Sequence, residues 1–179
     1  MKKIFCLGLI VIIFSVVFSG CNAANDNSKY LRIHIRANDN QNDSQTVKYT
    51  IKEKLVEYLT PYLAESDTKQ KAYDTVKNHL TKIEEICDKT LLENGFTYNS
   101  NAKLCNEYFP LRSYNDFVLE SGCYDSLIIE LGEAKGDNWW CMVYPPLCFT
   151  GGECNGSDEI TYKSKIAEII EQFKQKYLS

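Results

Sequence analysis

The chain has 179 residues and a formal net charge of −4 at pH 7, with 44% hydrophobic and 25% charged residues. This composition excludes a disordered or collagen-like chain, and the length suits a single compact domain. A mildly acidic chain also argues against sequence-independent binding to nucleic acid, which needs a basic face. We therefore expect a globular domain with no nucleic-acid partner.

The first twenty residues have the pattern of an export signal. Lys2 and Lys3 precede a run over residues 4–18 that is apolar except for one glycine and one serine. Such a run is short for a membrane span of about 20 residues and is typical of a secretory signal. We predict a signal peptide over residues 1–20, a tether over residues 21–28, and one exported domain over residues 29–179.

Two modes of signal cleavage remain open. Small residues precede Cys21 as in a bacterial lipobox, in which the cysteine becomes the lipidated N-terminus. Lipidation of Cys21 would keep the domain anchored to the outer surface of the membrane it has crossed. The alternative is ordinary cleavage near Ala23 or Ala24, which would release it.

The folded region opens with a strand and two helices. Residues 29–37 alternate between apolar and polar side chains, which predicts a half-buried strand with His34 on its polar side. Apolar residues recur at helical spacing over residues 45–63 and 68–93, and Ser44 is a plausible N-cap for the first of these helices.

The second half of the chain has the pattern of strands followed by a helix. Strands are predicted at residues 113–119, 123–131 and 138–144, and the short turns between them indicate an antiparallel meander. Residues 96–108 are ambiguous, and a last helix is predicted over residues 158–178. The order β-α-α-β-β-β-α indicates an α+β fold, with a mainly antiparallel sheet and helices packed on one face.

Cysteine spacing indicates disulfides rather than metal. Outside the cytoplasm an even set of cysteines favours disulfides, although six of them allow fifteen pairings. Cys141, Cys148 and Cys154 are spaced too widely for the usual structural zinc site. We expect a Cys141–Cys148 disulfide across Pro145-Pro146, and neither a metal nor a cofactor.

No catalytic signature is present. The chain has two histidines, of which His34 is the better placed, and it contains neither G-x-S-x-G nor H-E-x-x-H. Trp139 and Trp140 point to opposite faces of their predicted strand. Either one of them is exposed as an anchor for a protein partner, or both are covered.

Three stretches carry a more specific pattern: LRIHIRAN over residues 31–38, FPLRSYND over 109–116, and NWWC with PPLCF over 138–149. Together they resemble the stage II sporulation protein R family. The resemblance implies a signalling protein and not an enzyme. Such a protein is exported from the forespore into the intermembrane space facing the mother cell. There it activates a membrane-embedded aspartic protease that processes the precursor of sigma-E.

The resemblance also directs attention to particular residues. The side chains that we expect to contact the protease are His34, Asn38, Arg112, Lys135, Asn138, Trp139 and Trp140. Beyond the family's Cys141 and Cys148, the predicted exported domain carries four extra cysteines, at positions 87, 105, 123 and 154.

Two other functions remain open on the sequence. One is a thiol- or histidine-dependent enzyme of the cell envelope, using His34 with a carboxylate or a free cysteine. The other is a small-ligand-binding lipoprotein, which would need a concave pocket.

Overall fold

The central strand of a four-stranded sheet organises the fold in this computed structural model, which describes residues 26–114, 117–149 and 157–177. Strand β1 (Leu31–Arg36) pairs in parallel with β5 (Gly122–Leu131) and antiparallel with β6 (Asn138–Tyr144). Strand β2 (Ser100–Phe109) pairs antiparallel with the far side of β5. The sheet order is β2-β5-β1-β6, so two of its three pairings are antiparallel.

Three helices lie in the described part of the chain, and they confirm the predicted α+β class. They are α1 (Asn42–Leu63), α2 (Lys69–Glu93) and α3 (Ser157–Tyr177). Both α1 and α2 bury an apolar stripe, as their 3.6-residue periodicity predicts. Phe173 of α3 packs its ring 5.4 Å from that of Tyr30, ahead of β1.

The N-terminus of α1 differs from the prediction. Ser44 is not the N-cap, because the helix already begins at Asn42 and Gln41 occupies the cap position. The Asp39 carboxylate accepts a hydrogen bond from the Gln41 amide at 2.9 Å, so the turn is closed before Ser44 is reached. Helix α2 has a regular side-chain cap, since the Thr68 hydroxyl accepts a bond from the Lys71 amide.

The two faces of the sheet have different covers. Ile33 and Ile35 of β1 point to the face that carries the helices, where Ser100 of β2 donates to Asp88 of α2 at 2.7 Å. We call this the helix face. The opposite face carries Arg32 and His34, and a short hairpin covers part of it. We call it the hairpin face.

The predicted meander is wrong in two respects. Residues 113–119 do not form a strand of the sheet: they divide into β3 (Arg112–Tyr114) and β4 (Phe117–Leu119), which pair only with each other in the described structure. Strands β5 and β6 are not neighbours either, because β1 lies between them. The ambiguous segment before them contains β2, one of the two longest strands described. Pairing of β1 with β5 and β6, which follow it by more than ninety residues, is a non-local event that local turn signals do not encode.

The expectation that β1 is half-buried is also wrong. His34 is 1% exposed and Arg32 is fully buried, although both lie on the side predicted to be polar and solvated. The cause is tertiary: Tyr114 of the hairpin contacts Arg32, and the rings of Trp140 and Phe109 cover His34. The predictions on the leader, on Cys21 and on Cys154 lie outside the described residues.

No helix in the described part of the chain is both long enough and apolar enough to cross a membrane.

Candidate functional site

An aromatic cluster around His34 forms the centre of the hairpin face. The register of β1 and β6 places His34 opposite Trp140, and their rings stack with centroids 3.7 Å apart and an interplanar angle of 21°. Phe109, at the end of β2, packs edge-on against Trp140 at 4.9 Å. Three strands thus supply one ring each, and the half-buried Trp140 is the ring nearest to solvent.

The His34 ring is held in its neutral form. Burial lowers the pKa of His34 to about 4, and the contact with Asn138 only partly opposes this. Nδ1 lies 3.8 Å from a Glu107 carboxylate oxygen, beyond hydrogen-bond distance, and neither ring nitrogen has a partner with bonding geometry among the described residues. A neutral ring without an orienting carboxylate bond serves as a packing surface and lacks the arrangement of a catalytic base.

Arg32 is a functional candidate that the sequence analysis missed. Its guanidinium is fully buried, lies 4.2 Å from the centre of the Phe109 ring, and donates one hydrogen bond to the Tyr114 hydroxyl at 2.7 Å. Its Nε and one terminal nitrogen have no partner among the described residues. Burial lowers the pKa of Arg32. The signal that could have revealed it is the R-x-H-x-R alternation, which puts Arg32 on the same side of β1 as His34.

Arg112, at the start of β3, is an exposed cation on the hairpin face. Its guanidinium lies 5.5 Å from the centre of the Trp140 ring, within the range of a cation–π contact. It has no ion pair in the described structure. By contrast, Arg36 is paired with both Glu107 and Glu130. The hairpin face therefore brings together four of the predicted contact residues: His34, Arg112, Asn138 and Trp140.

Asn38 and Lys135 lie instead in two interlocked loops at the end of β1. The Asn38 carbonyl accepts from the Lys135 amide at 3.0 Å, and the Asn38 side-chain oxygen accepts from the Glu133 amide at 2.8 Å. The Gly136 amide donates to the Ala37 carbonyl at 2.9 Å. Asn38 therefore fixes the turn before β6, whereas the exposed Lys135 ammonium pairs with Glu133.

Two of the predicted contact residues, Asn138 and Trp139, begin β6. Asn138 is exposed and lies opposite Arg36 in the register. Trp139 is half-buried on the helix face, where it packs against the core. The side chains of Trp139 and Trp140 consequently lie on opposite sides of the sheet, and only Trp140 belongs to the His34 cluster.

A disulfide joins Cys141 to Cys148, with their Cα atoms 6.2 Å apart. It closes the loop that follows β6, and the Met142 amide donates to the Cys148 sulfur at 3.0 Å. Cys87, Cys105 and Cys123 are free thiols. No group of three metal-binding side chains occurs within the described ranges.

Opening this disulfide should cost a modest amount of stability. Because the closed loop is short, we expect Cys148→Ser to lower the free energy of unfolding by about 2 kcal/mol. Urea titration of the purified protein measures the change. Cys123→Ser removes an exposed free thiol and should leave the midpoint unchanged. Equal effects of the two substitutions would contradict a stabilising role for the bridge.

Comparison with known proteins bears on this geometry. The family model described as Stage II sporulation protein R matches residues 27–153, which include all of the hairpin face described above. The chain belongs to the stage II sporulation protein R family. Family membership supports a role in sporulation, and it suggests a signalling protein.

One curated relative shows the extent of the similarity. The chain is 28% identical over 112 residues to stage II sporulation protein R of Bacillus subtilis (strain 168). The match covers 60% of this chain and 50% of the relative, so the chain spans about half the length of that relative. No solved structure matches the chain.

Proposed function

We propose that this protein is an exported sporulation signal that activates a membrane-embedded aspartic protease. The protease in turn processes the precursor of sigma-E in the mother cell. The observation that carries the proposal is the cluster of His34, Trp140 and Arg112 in a sporulation family. Exposed Arg beside a partly buried Trp is the composition of a protein-binding hot spot.

Activation follows from preferential binding. A protein without catalytic groups of its own changes a protease only by binding its active state more tightly than its inactive state. The stacked rings of His34 and Trp140 are fixed by the register of two paired strands, so little ordering is needed when a partner docks. Such a rigid surface suits recognition of one conformation.

The proposed place of action is the intermembrane space between forespore and mother cell. The apolar run at residues 4–18 and the Cys141–Cys148 disulfide both suit an exported protein. Lipidation of Cys21 would hold the domain on the outer surface of the forespore membrane, whereas cleavage after it would release the domain.

The envelope-enzyme alternative has less support. Cys87 is fully buried and therefore inaccessible to a substrate. Burial also raises the pKa of its thiol to about 12, so the thiol stays protonated. His34 is buried as a neutral ring, without a hydrogen-bonded carboxylate among the described residues. Neither group has the environment that activates a nucleophile.

Truncating Trp140 should strongly reduce signalling. The test co-expresses this protein, its cognate protease and the sigma-factor precursor in a non-sporulating host, and follows precursor cleavage by immunoblot. Cleavage should require the exported chain, and Trp140→Ala should lower its initial rate by about tenfold or more, the loss expected of an interface anchor.

Trp139→Ala is the matched control, because it removes the same side chain from the opposite side of the same strand. It should retain most of the cleavage when both variants are shown to be folded and exported. Equal cleavage with both variants would remove the hairpin face from the proposal. No cleavage with the unmodified protein, folded and exported, would remove the proposed function itself.

A further inference from the structure

We infer that the hairpin face binds a carboxylate on an acidic segment of the protein partner, with Arg112 as the contact and Arg32 as a buried source of positive charge. This inference rests on the proposed function, since it assigns the chemistry that the partner presents to that surface. It adds Arg32, which the family resemblance did not single out.

The first observation is a buried cation without a counter-ion. Arg32 is fully buried, and no carboxylate pairs with it in the described structure. Its neighbours are the rings of Phe109 and Tyr124 and the hydroxyl of Tyr114, which stabilise a cation but do not neutralise it. A buried charge normally has an ionic partner, because desolvation is costly. The protein thus keeps positive potential beneath this surface.

The second observation is the state of the surface cations. Of the cations on the hairpin face, Arg36 is paired with Glu107 and Glu130, and Lys103 is paired with Glu130 at 2.8 Å. Arg112 is exposed, lies against Trp140, and has no ion pair with the described residues. A guanidinium held against an aromatic ring is oriented to donate two parallel hydrogen bonds to a carboxylate.

The positive charges of Arg32 and Arg112 lie close together, near the proposed carboxylate site. Tyr114, which accepts the hydrogen bond from Arg32, lies two residues after Arg112 on β3. Repulsion from Arg112 contributes to the lowered pKa of Arg32, which reflects the proximity of the two charges. A carboxylate bound at Arg112 would relieve this repulsion, and it would interact with Arg32 through protein rather than through water.

The surroundings favour a peptide over a membrane surface. Leu111, next to Arg112 in the chain, is 52% exposed and offers a contact to an apolar side chain beside an acid. Glu107 and Glu130 on the same face already pair with Arg36 and Lys103, so this face lacks the cluster of unpaired basic residues by which proteins bind anionic lipid headgroups. One unpaired guanidinium beside an apolar residue matches a single carboxylate on a protein segment.

The test uses the exported full-length protein and two blocked hexapeptides, one of glutamates and one of glutamines. Binding is followed by tryptophan fluorescence and by the NMR signals of the arginine side chains. The glutamate peptide should bind and shift the Arg112 signal, whereas the glutamine peptide should not. Arg112→Gln should weaken this binding by about tenfold. Lys103→Gln, which removes one charge already paired on the same face, should change it by less than about twofold.

Several outcomes would overturn the inference. They are equal binding of the two peptides, no binding of the glutamate peptide, equal losses in Arg112→Gln and Lys103→Gln, and binding to phosphatidylserine vesicles in place of the peptide. Arg32→Met should also weaken binding of the glutamate peptide. The comparison of Arg112→Gln with Lys103→Gln decides the question even where Arg32→Met does not fold.

The cleavage assay separates this inference from the proposed function. If the inference holds, Arg112→Gln loses precursor cleavage together with peptide binding. Cleavage that needs Trp140 but persists in Arg112→Gln would refute carboxylate recognition and leave the proposed function intact. Peptide binding by a protein that does not activate the protease would refute the proposed function alone.

Discussion

Acidification from pH 7 to pH 4 should destabilise the protein by about 3 kcal/mol through His34 alone. The physical reason is the burial of this ring between Trp140 and Phe109, where water cannot solvate an imidazolium. Burial lowers the pKa of His34 from 6.5 to about 4, so the folded state resists protonation. The stacked pair at the centre of the proposed binding surface is therefore acid-sensitive.

The direction follows from where the proton binds first. In the unfolded chain the His34 side chain takes up a proton as the pH falls through 6.5, whereas in the folded protein it does so near 4. Between these values the unfolded state binds more protons, so stability is lost as the pH falls through this window. Above 6.5 the contribution of His34 is independent of pH, and below about 4 its loss is complete.

The measurement is a set of urea unfolding curves between pH 4 and pH 8. His34→Phe keeps an aromatic ring against Trp140 but cannot be protonated, so it serves as the matched variant. Carboxylates titrate in both proteins and cancel in the difference between their unfolding free energies. The free energy of unfolding of the unmodified protein minus that of His34→Phe should be constant above pH 7. It should be about 3 kcal/mol lower at pH 4, because only the unmodified protein loses stability through His34. Parallel curves below pH 6.5 would contradict the burial of a neutral His34.

The helices and β1 could be predicted because their signals are local. The stripes of α1 and α2 repeat every 3.6 residues, and the alternation in β1 has a period of two. The sheet order could not be predicted in the same way. The short turn between β5 and β6 lets these strands pair either with each other or with opposite edges of β1. The choice depends on contacts between residues far apart in sequence.

The candidate site was predicted only in part for the same reason. Alternation along single strands put His34 on one side of β1 and separated Trp139 from Trp140, but it did not reveal that His34 and Trp140 stack. That contact needs the register between β1 and β6. Arg32 was missed because a charged residue on an alternating strand is normally solvated, and only the position of Tyr114 over β1 shows that it is buried.

Gly136→Ala should have a comparably large effect, lowering the free energy of unfolding by about 3 kcal/mol. A Cβ at Gly136 would lie 2.1 Å from the backbone oxygen of Asp39, which cannot move without displacing the loop after β1. The Gly136 amide donates a hydrogen bond to the Ala37 carbonyl, which joins the turn before β6 to the end of β1. The Lys48 ammonium of α1 holds the same turn by donating to the Asp137 carbonyl at 2.9 Å. The substitution therefore disrupts backbone contacts on both sides of the junction.

Gly95→Ala distinguishes this clash from ordinary glycine strain. Gly95 has a φ of +82°, but no atom lies within 4 Å of its would-be Cβ, so alanine there should cost only about 1 kcal/mol of backbone strain. Urea midpoints of the two variants give the comparison. Since the junction at Gly136 leads directly into Asn138 and Trp140, Gly136→Ala should also lower precursor cleavage more than Gly95→Ala does. Equal losses of stability in the two variants would show that close packing of the loop after β1 against the turn before β6 does not contribute to stability.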